Sequence, residues 1–291
     1  MTETLTLREA RLAFIGGGMM AQAMIHALLE AGESQPDHIT ASDPVAARRT
    51  LLQTRYGIRV TDNNVAAIAT ADIIVLAIKP QMAQPVMQEL QGRVPAHALV
   101  LSIIAGTPLA VMRAGLQHEA IIRTMPNTPA QISAGMTVWT ASSAVTPAQR
   151  EQAQAILKTF GVEMCVAREE MLDMATAVSG TGPTYIFLLM EAWVDAAVHL
   201  GFSRQEALTL VFQTAKGSVA YAEQSSLHLA ELRNMVTSPG GTSAEAIYQL
   251  EKGGMRTILS KAIWAAYQKS QRLGQRAQEP PLAPLKVDNG N

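Results

Sequence analysis

Two short stretches of this 291-residue sequence bring together residue types that can do chemistry. The first is Gly16-x-Gly18-x-x-Ala21, directly behind the apolar run LAFI at 12–15 and ahead of a helix-periodic segment. A strand, a glycine turn and a helix in that order make a phosphate cradle. Gly16 allows the tight turn, Gly18 lets a pyrophosphate approach the backbone, and the small Ala21 lets the helix pack close to the strand. The N–H groups near Met19 and Met20 then meet the phosphates at the positive end of a helix. The second stretch is Ser238-Pro239-Gly240-Gly241-Thr242-Ser243, which interrupts a long helical region and cannot build an apolar core. It reads either as a plain connection or as a backbone cradle for a small anion, its glycines turning N–H groups inward.

Other positions surround the first cradle. Asp43 closes a second strand, 25 residues after Gly18. An acid there accepts hydrogen bonds from the two hydroxyls of a ribose, favouring NAD(H), or it serves as a helix N-cap ahead of Pro44. Arg48 and Arg49 lie a turn further on, within reach of a 2′-phosphate. Ala77-Ile78-Lys79-Pro80 ends a third strand at the carboxyl edge, where open α/β sheets take ligands. Pro80 shapes the crevice wall, while Lys79 either lines it or is an ordinary exposed lysine. Two prolines hold Asn127 rigidly in Met125-Pro126-Asn127-Thr128-Pro129, which suits recognition of a nicotinamide or substrate edge, or else a structural loop. Glu191, Asp195 and His199 recur at i, i+4 and i+8 and read as a polar stripe rather than an acid/base relay. The six histidines stand singly, with no metal-ligand spacing, so no metal is expected.

The elements that must position these residues alternate. After the glycine turn comes a helix from 19 to about 31, closed by Gly32 as a C′ residue. A strand at 39–42 follows, and Pro44 opens a helix to about 55. IIVLAI at 73–78, LVLSII at 99–104 and AIIRT at 120–124 are apolar runs of the kind buried on both faces of a parallel sheet. A last strand near 136–140 and a helix over 147–160 complete the set. The fold expected is a Rossmann-like, doubly wound α/β domain over residues 1–166. Beyond it only helical patterns remain, over 169–178, 184–200, 203–224, 227–235, 243–252 and 255–273. These make a helical domain over 167–274, and the proline-containing 275–291 reads as a tail.

Composition narrows the classes. With 48% hydrophobic and 16% charged residues the chain is globular, and a net charge of −1 without a basic block points away from nucleic acid and anionic membranes. No uninterrupted apolar stretch is long enough for a membrane span, and neither a span nor a signal peptide is expected. The single cysteine, Cys165, is expected as a buried apolar filler, in keeping with a cytoplasmic protein.

IGGGMMAQAM, AIKP, MPNTP, VSGTGPTY at 178–185 and VTSPGGTS at 236–243 occur in the order seen in Δ1-pyrroline-5-carboxylate reductases. The sequence resembles that family from about residue 11 to 274, and the last two motifs are distinctive. The resemblance implies hydride transfer from NAD(P)H to a cyclic imine, giving proline. It also implies that the 238–243 loop receives the substrate and that the all-helical C-terminal domain interlocks with a partner subunit, as a homodimer or larger homo-oligomer. On the same grounds Asn64 touches the cofactor, or caps a helix, and Glu169 contacts the substrate. The family's loop usually ends in a second threonine where this chain has Ser243, which keeps the hydroxyl and loses a methyl. By that match Ser243 is the catalytic candidate, standing beside the ring nitrogen; the competing reading makes it a helix N-cap. NADPH is the expected cofactor, with NADH the alternative that Asp43 favours. The rival readings are a hydroxy-acid dehydrogenase and a dinucleotide-binding sensor without turnover.

Overall fold

The computed structural model describes residues 6–278, with side chains as far as residue 275. Among the described residues two compact units emerge, one of residues 6–180 with 266–278 and one of residues 181–265. The first unit is built on an eight-stranded sheet of order β3-β2-β1-β4-β5-β6-β7-β8. Its strands are β1 (Leu12–Ile15), β2 (Ile39–Ser42), β3 (Arg59–Thr61), β4 (Ile73–Leu76), β5 (Leu99–Ser102), β6 (Ile121–Met125), β7 (Gly135–Ala141) and β8 (Gly161–Cys165). All neighbours run parallel except β6 and β7.

Helices cover both faces, because successive strand residues point to opposite sides. Leu12 and Phe14 of β1 pack with Met24, Ile25 and Leu28 of α1 (Met19–Glu30), Leu52 of α2 (Ala46–Tyr56) and Ile156 of α6 (Pro147–Thr159). Ala13 and Ile15 face the other way, onto Ile68 of α3 (Asn64–Ile68), Met87 and Leu90 of α4 (Ala83–Leu90), and Met112 of α5 (Leu109–Leu116). That is the doubly wound arrangement expected. Strand order reverses around β1, which lies between β2 and β4, so the crevice beyond the carboxyl ends of β1 and β4 is the switch point where such sheets bind ligands.

Several local expectations change. β3 and β8 were not read from the sequence. Both are edge strands, and β8 leaves Val162 and Met164 exposed, so neither carries the continuous apolar run of a central strand. Cys165 closes β8 and is exposed, with its Sγ 3.5 Å from an Arg150 guanidinium nitrogen; it is not a core filler. Pro44 does not open a helix, because α2 begins at Ala46 after Val45 has bonded back to Asp43.

The chain then turns helical. α7 (Met171–Ala175) runs into a wide π turn at Thr176–Gly180. The second unit holds α8 (Gly182–His199), α9 (Arg204–Gln224), α10 (Leu229–Met235) and α11 (Thr242–Lys252). The long α12 (Met255–Gln278) begins in this unit and ends in the first. Residues 275–278 are therefore helical, whereas the rest of the expected tail, 279–291, lies outside the described residues. The second unit's buried core is small: Val194, Ala197, Ala207 and Val211. Phe187, Leu188 and Trp264 stay 60% or more exposed, so this unit does not bury its own apolar surface. Asp195 of the polar stripe on α8 pairs with Arg204 at 3.0 Å on the surface, as expected of a solvated face. No helix among the described residues is long and apolar enough to cross a membrane.

Candidate active site

The glycine turn has the geometry of a phosphate cradle. Gly16 adopts φ +100°, and its N–H donates to Ser42 O at 2.7 Å, binding the end of β1 to the end of β2. Gly18 occupies the N-cap position of α1, and a Cβ built on it would meet no protein atom within 4 Å. Among the described residues no hydrogen bond runs from the N–H of Gly18, Met19 or Met20 to a protein acceptor. These are orphan donors of a helix start, aimed where an anion sits. Met19 is exposed, Met20 is half-buried against the core, and Ala21 is fully buried, so the helix can lie close to the sheet. The residues present fit a dinucleotide's pyrophosphate.

Asp43 is less open than the sequence suggested. Its carboxylate accepts Gly17 N at 2.9 Å and Val45 N at 2.8 Å, and Arg48 stands 3.3 Å away. The side chain is only 3% exposed, so it braces the glycine turn instead of facing outward. It is not the helix cap either: Val45 holds that position without a side-chain bond. Arg49 donates to the carbonyls of Asp43 and Pro44, whereas the Arg48 side chain is 51% exposed beside the crevice. Asn64 is likewise not a cap. Asn63 caps α3 by accepting Ala66 N, while the Asn64 amide accepts the Ser42 hydroxyl and donates to Glu89 at 2.7 Å.

At the end of β4, Ala77 N donates to Ile15 O, and Lys79 is exposed ahead of a single 3-10 turn at Pro80–Met82. The sequence-expected strand at 73–78 therefore stops at Leu76, and Ala77, Ile78, Lys79 and Pro80 form the crevice edge. Asn127 is tied into the protein: its Nδ2 donates to Ser179 O at 3.1 Å and its Oδ1 accepts Met136 N at 2.9 Å. The two bonds anchor the loop, and each amide atom keeps one further hydrogen-bonding position. Glu169 also turns inward. One carboxylate oxygen accepts Leu109 N at 2.7 Å and the Arg123 guanidinium at 2.8 Å, which anchors the side chain in the protein. Arg123 itself was missed, although an arginine inside the apolar AIIRT was a visible signal.

In the helical unit the 238–243 segment is a tight turn. Gly241 N donates to Ser238 O at 3.0 Å, Pro239 and Gly240 are the central residues, and Gly240 has φ +71°. Proline followed by a positive-φ glycine is the type II pattern. A Cβ on Gly241 would displace the Ser238 hydroxyl, while Gly240 holds a φ that favours glycine. Gly241 is the N-cap of α11, with no side-chain cap bond. The expectation that Ser243 caps this helix is therefore corrected: Thr242 and Ser243 are its first two residues. Among the described residues no protein acceptor receives the N–H of either. The Ser238 and Thr242 side chains are exposed and Ser243 is half-buried, so two free N–H groups and three hydroxyls gather at a positive helix end.

Comparison with known proteins decides the family. Residues 169–273 match the model described as pyrroline-5-carboxylate reductase dimerisation, and residues 11–106 match that of the F420-dependent NADP oxidoreductases. A pyrroline-5-carboxylate reductase from Synechocystis is 39% identical, covering 91% of this chain and 99% of that protein. One from Pseudomonas aeruginosa is 40% identical over 91% of this chain and 97% of its own length. The chain belongs to the pyrroline-5-carboxylate reductase family. Solved members of the family share the architecture. The Coxiella burnetii structure is 33% identical with a TM-score of 0.82, over 91% of this chain and 98% of that one. The Plasmodium falciparum structure, which has NADP bound, is 29% identical with a TM-score of 0.85, over 92% and 99%. The enzyme class and the NAD(P)H dependence follow from this membership.

Proposed function

We propose that this chain reduces the ring imine of 1-pyrroline-5-carboxylate to proline, with NADPH as the preferred reductant. The observation that carries the reading is the type II turn at 238–241, which delivers the N–H groups of Thr242 and Ser243 unpaired at the start of α11. That arrangement suits the small carboxylate next to the ring nitrogen, with Ser238, Gly240 and Gly241 shaping its seat.

The dinucleotide, when bound, supplies a hydride. The turn made by Gly16 would bring Gly18 and the N–H groups of Met19 and Met20 to its pyrophosphate, and Ala77, Ile78, Lys79 and Pro80 would border it. Asn64 and Asp43 would stand towards its ribose end, and Arg48 would meet a 2′-phosphate. The protonated C=N carbon accepts the hydride and its nitrogen keeps the proton, so the product amine forms without a covalent protein intermediate. The protein's part is therefore orientation and electrostatics, with the Ser243 hydroxyl bonding the ring nitrogen as the hydride arrives. Contact of Glu169 with the substrate is not part of this reading, given its inward bonds.

The reading includes a homodimer or larger assembly through 169–273, the region matching the dimerisation model, which leaves Phe187 and Leu188 exposed in a single chain. The decisive assay follows NADPH oxidation with pyrroline-5-carboxylate and measures proline formed. Absence of imine-dependent oxidation, or NADP+ reduction by hydroxy acids instead, would overturn it.

A further inference from the structure

We propose that Arg123 is a positioning residue, and that its two carboxylate partners hold the 105–108 loop at the cofactor crevice. Arg123 lies on β6 with its side chain 5% exposed, a full charge inside a layer of apolar strands. A buried charge must be paired, yet the pairing alone adds little stability compared with a well-packed apolar side chain. The informative feature is where the pair leads. Arg123 donates to Glu169 at 2.8 Å and to Asp173 at 3.1 Å.

Each acid passes the restraint onward. Glu169 accepts the N–H of Leu109, the first residue of α5 and the one directly after the loop. Asp173 accepts the Ser270 hydroxyl at 2.9 Å on the last turns of α12. Three residues further along, Leu273 lies against Gly106, so close that a Cβ on Gly106 would stand 2.8 Å from Leu273 Cβ. Gly106 has φ +70°, a conformation that only this residue type holds easily. The loop is thus gripped from one side through Glu169 and from the other through Asp173, Ser270 and Leu273. It follows β5 at the carboxyl edge, where Pro80, Gln84, Ala105, Gly106 and Leu273 line a cavity of about 340 Å³.

The proposal rests on the reading of that edge as the NADPH crevice. Its test is the NADPH dissociation constant, measured by fluorescence without imine, together with steady-state kinetics and melting curves. Glu169→Ala should weaken NADPH about tenfold, raise its KM in parallel and leave kcat within about twofold, because a displaced loop costs binding alignment. Glu169→Gln, which keeps an acceptor for Leu109 N, should recover most of that loss. Ser270→Ala, which removes only the α12 arm, should weaken NADPH about threefold. A lowered melting temperature with unchanged NADPH affinity in Glu169→Ala would make the cluster a staple of the fold and overturn the proposal. Should that variant not fold, unchanged affinity in both Glu169→Gln and Ser270→Ala overturns it equally. Wild-type protein that bound no dinucleotide would remove the underlying reading, and this proposal with it.

Discussion

Gly16 lies against Ala77 so closely that a Cβ on it would stand 2.5 Å from the Ala77 carbonyl oxygen, whereas one on Gly18 would meet no protein atom within 4 Å. The two glycines therefore serve different partners, one the fold and one the ligand. Gly16→Ala combines that clash with a φ of +100° and should cost more than about 2 kcal/mol in stability. Gly18→Ala should leave the melting curve within about 0.5 kcal/mol of wild type while weakening NADPH about tenfold. A similar stability loss in both would refute the division.

Ser243 is the second residue of α11 and not its cap, so its hydroxyl can be removed without unmaking the helix start. Ser243→Ala should lower kcat/KM about 10–100-fold, near 1.4–2.7 kcal/mol, with NADPH affinity and melting temperature almost unchanged. Ser243→Thr should keep most activity. Wild-type kinetics in the alanine variant would remove the catalytic role.

Cofactor choice should follow Arg48. The Asp43 carboxylate is 3% exposed and faces Gly17 N, Val45 N and, at 3.3 Å, the Arg48 guanidinium, so Arg48 is the cation that counters it beside a 2′-phosphate. Arg48→Ala should raise the KM for NADPH about tenfold, the loss of one charge-assisted bond, and leave that for NADH nearly constant. An Arg48→Ala enzyme with both values unaltered would point away from this residue.

Assembly should depend on α8. Phe187 and Leu188 are 62% and 65% exposed in a single chain. Light scattering should give at least twice the 31.2 kDa chain mass, and Phe187→Asp with Leu188→Asp should lower it towards one chain. A wild-type monomer at micromolar concentration is the contrary result.

The start of α9 carries a pH-sensitive cap. Ser203 donates its N–H and hydroxyl to Glu206 at 2.8 and 2.7 Å, and these bonds hold the Glu206 carboxyl below its ordinary value of 4.5. A depressed folded value means the stabilisation is full above 4.5 and fades as pH falls through the lower, folded value. The melting-temperature gap between wild type and Glu206→Ala should therefore shrink on acidification; a gap constant with pH would contradict this.

The sequence by itself determined the order of the central strands' helices and turns, the glycine cradle and the 238–243 interruption. Those signals are local. Strands buried on both faces read as continuous apolar runs such as IIVL, and glycine marks a positive φ wherever the chain must turn sharply. The motif order carried the family resemblance in the same way. Tertiary structure decided what polar side chains point at. Asp43, Asn127 and Glu169 all suit a ligand by type, yet each is turned into the protein by partners far along the chain, such as Gly17, Ser179 and Arg123. It also decided the sheet edges, since β3 and β8 are half-solvated and lack the apolar run, and Cys165 is exposed because β8 has no outer neighbour. Arg123 shows the division most clearly. Its charge was visible inside AIIRT, but its partners lie 46 and 50 residues away, and only folding brings a buried cation to the carboxylates it requires.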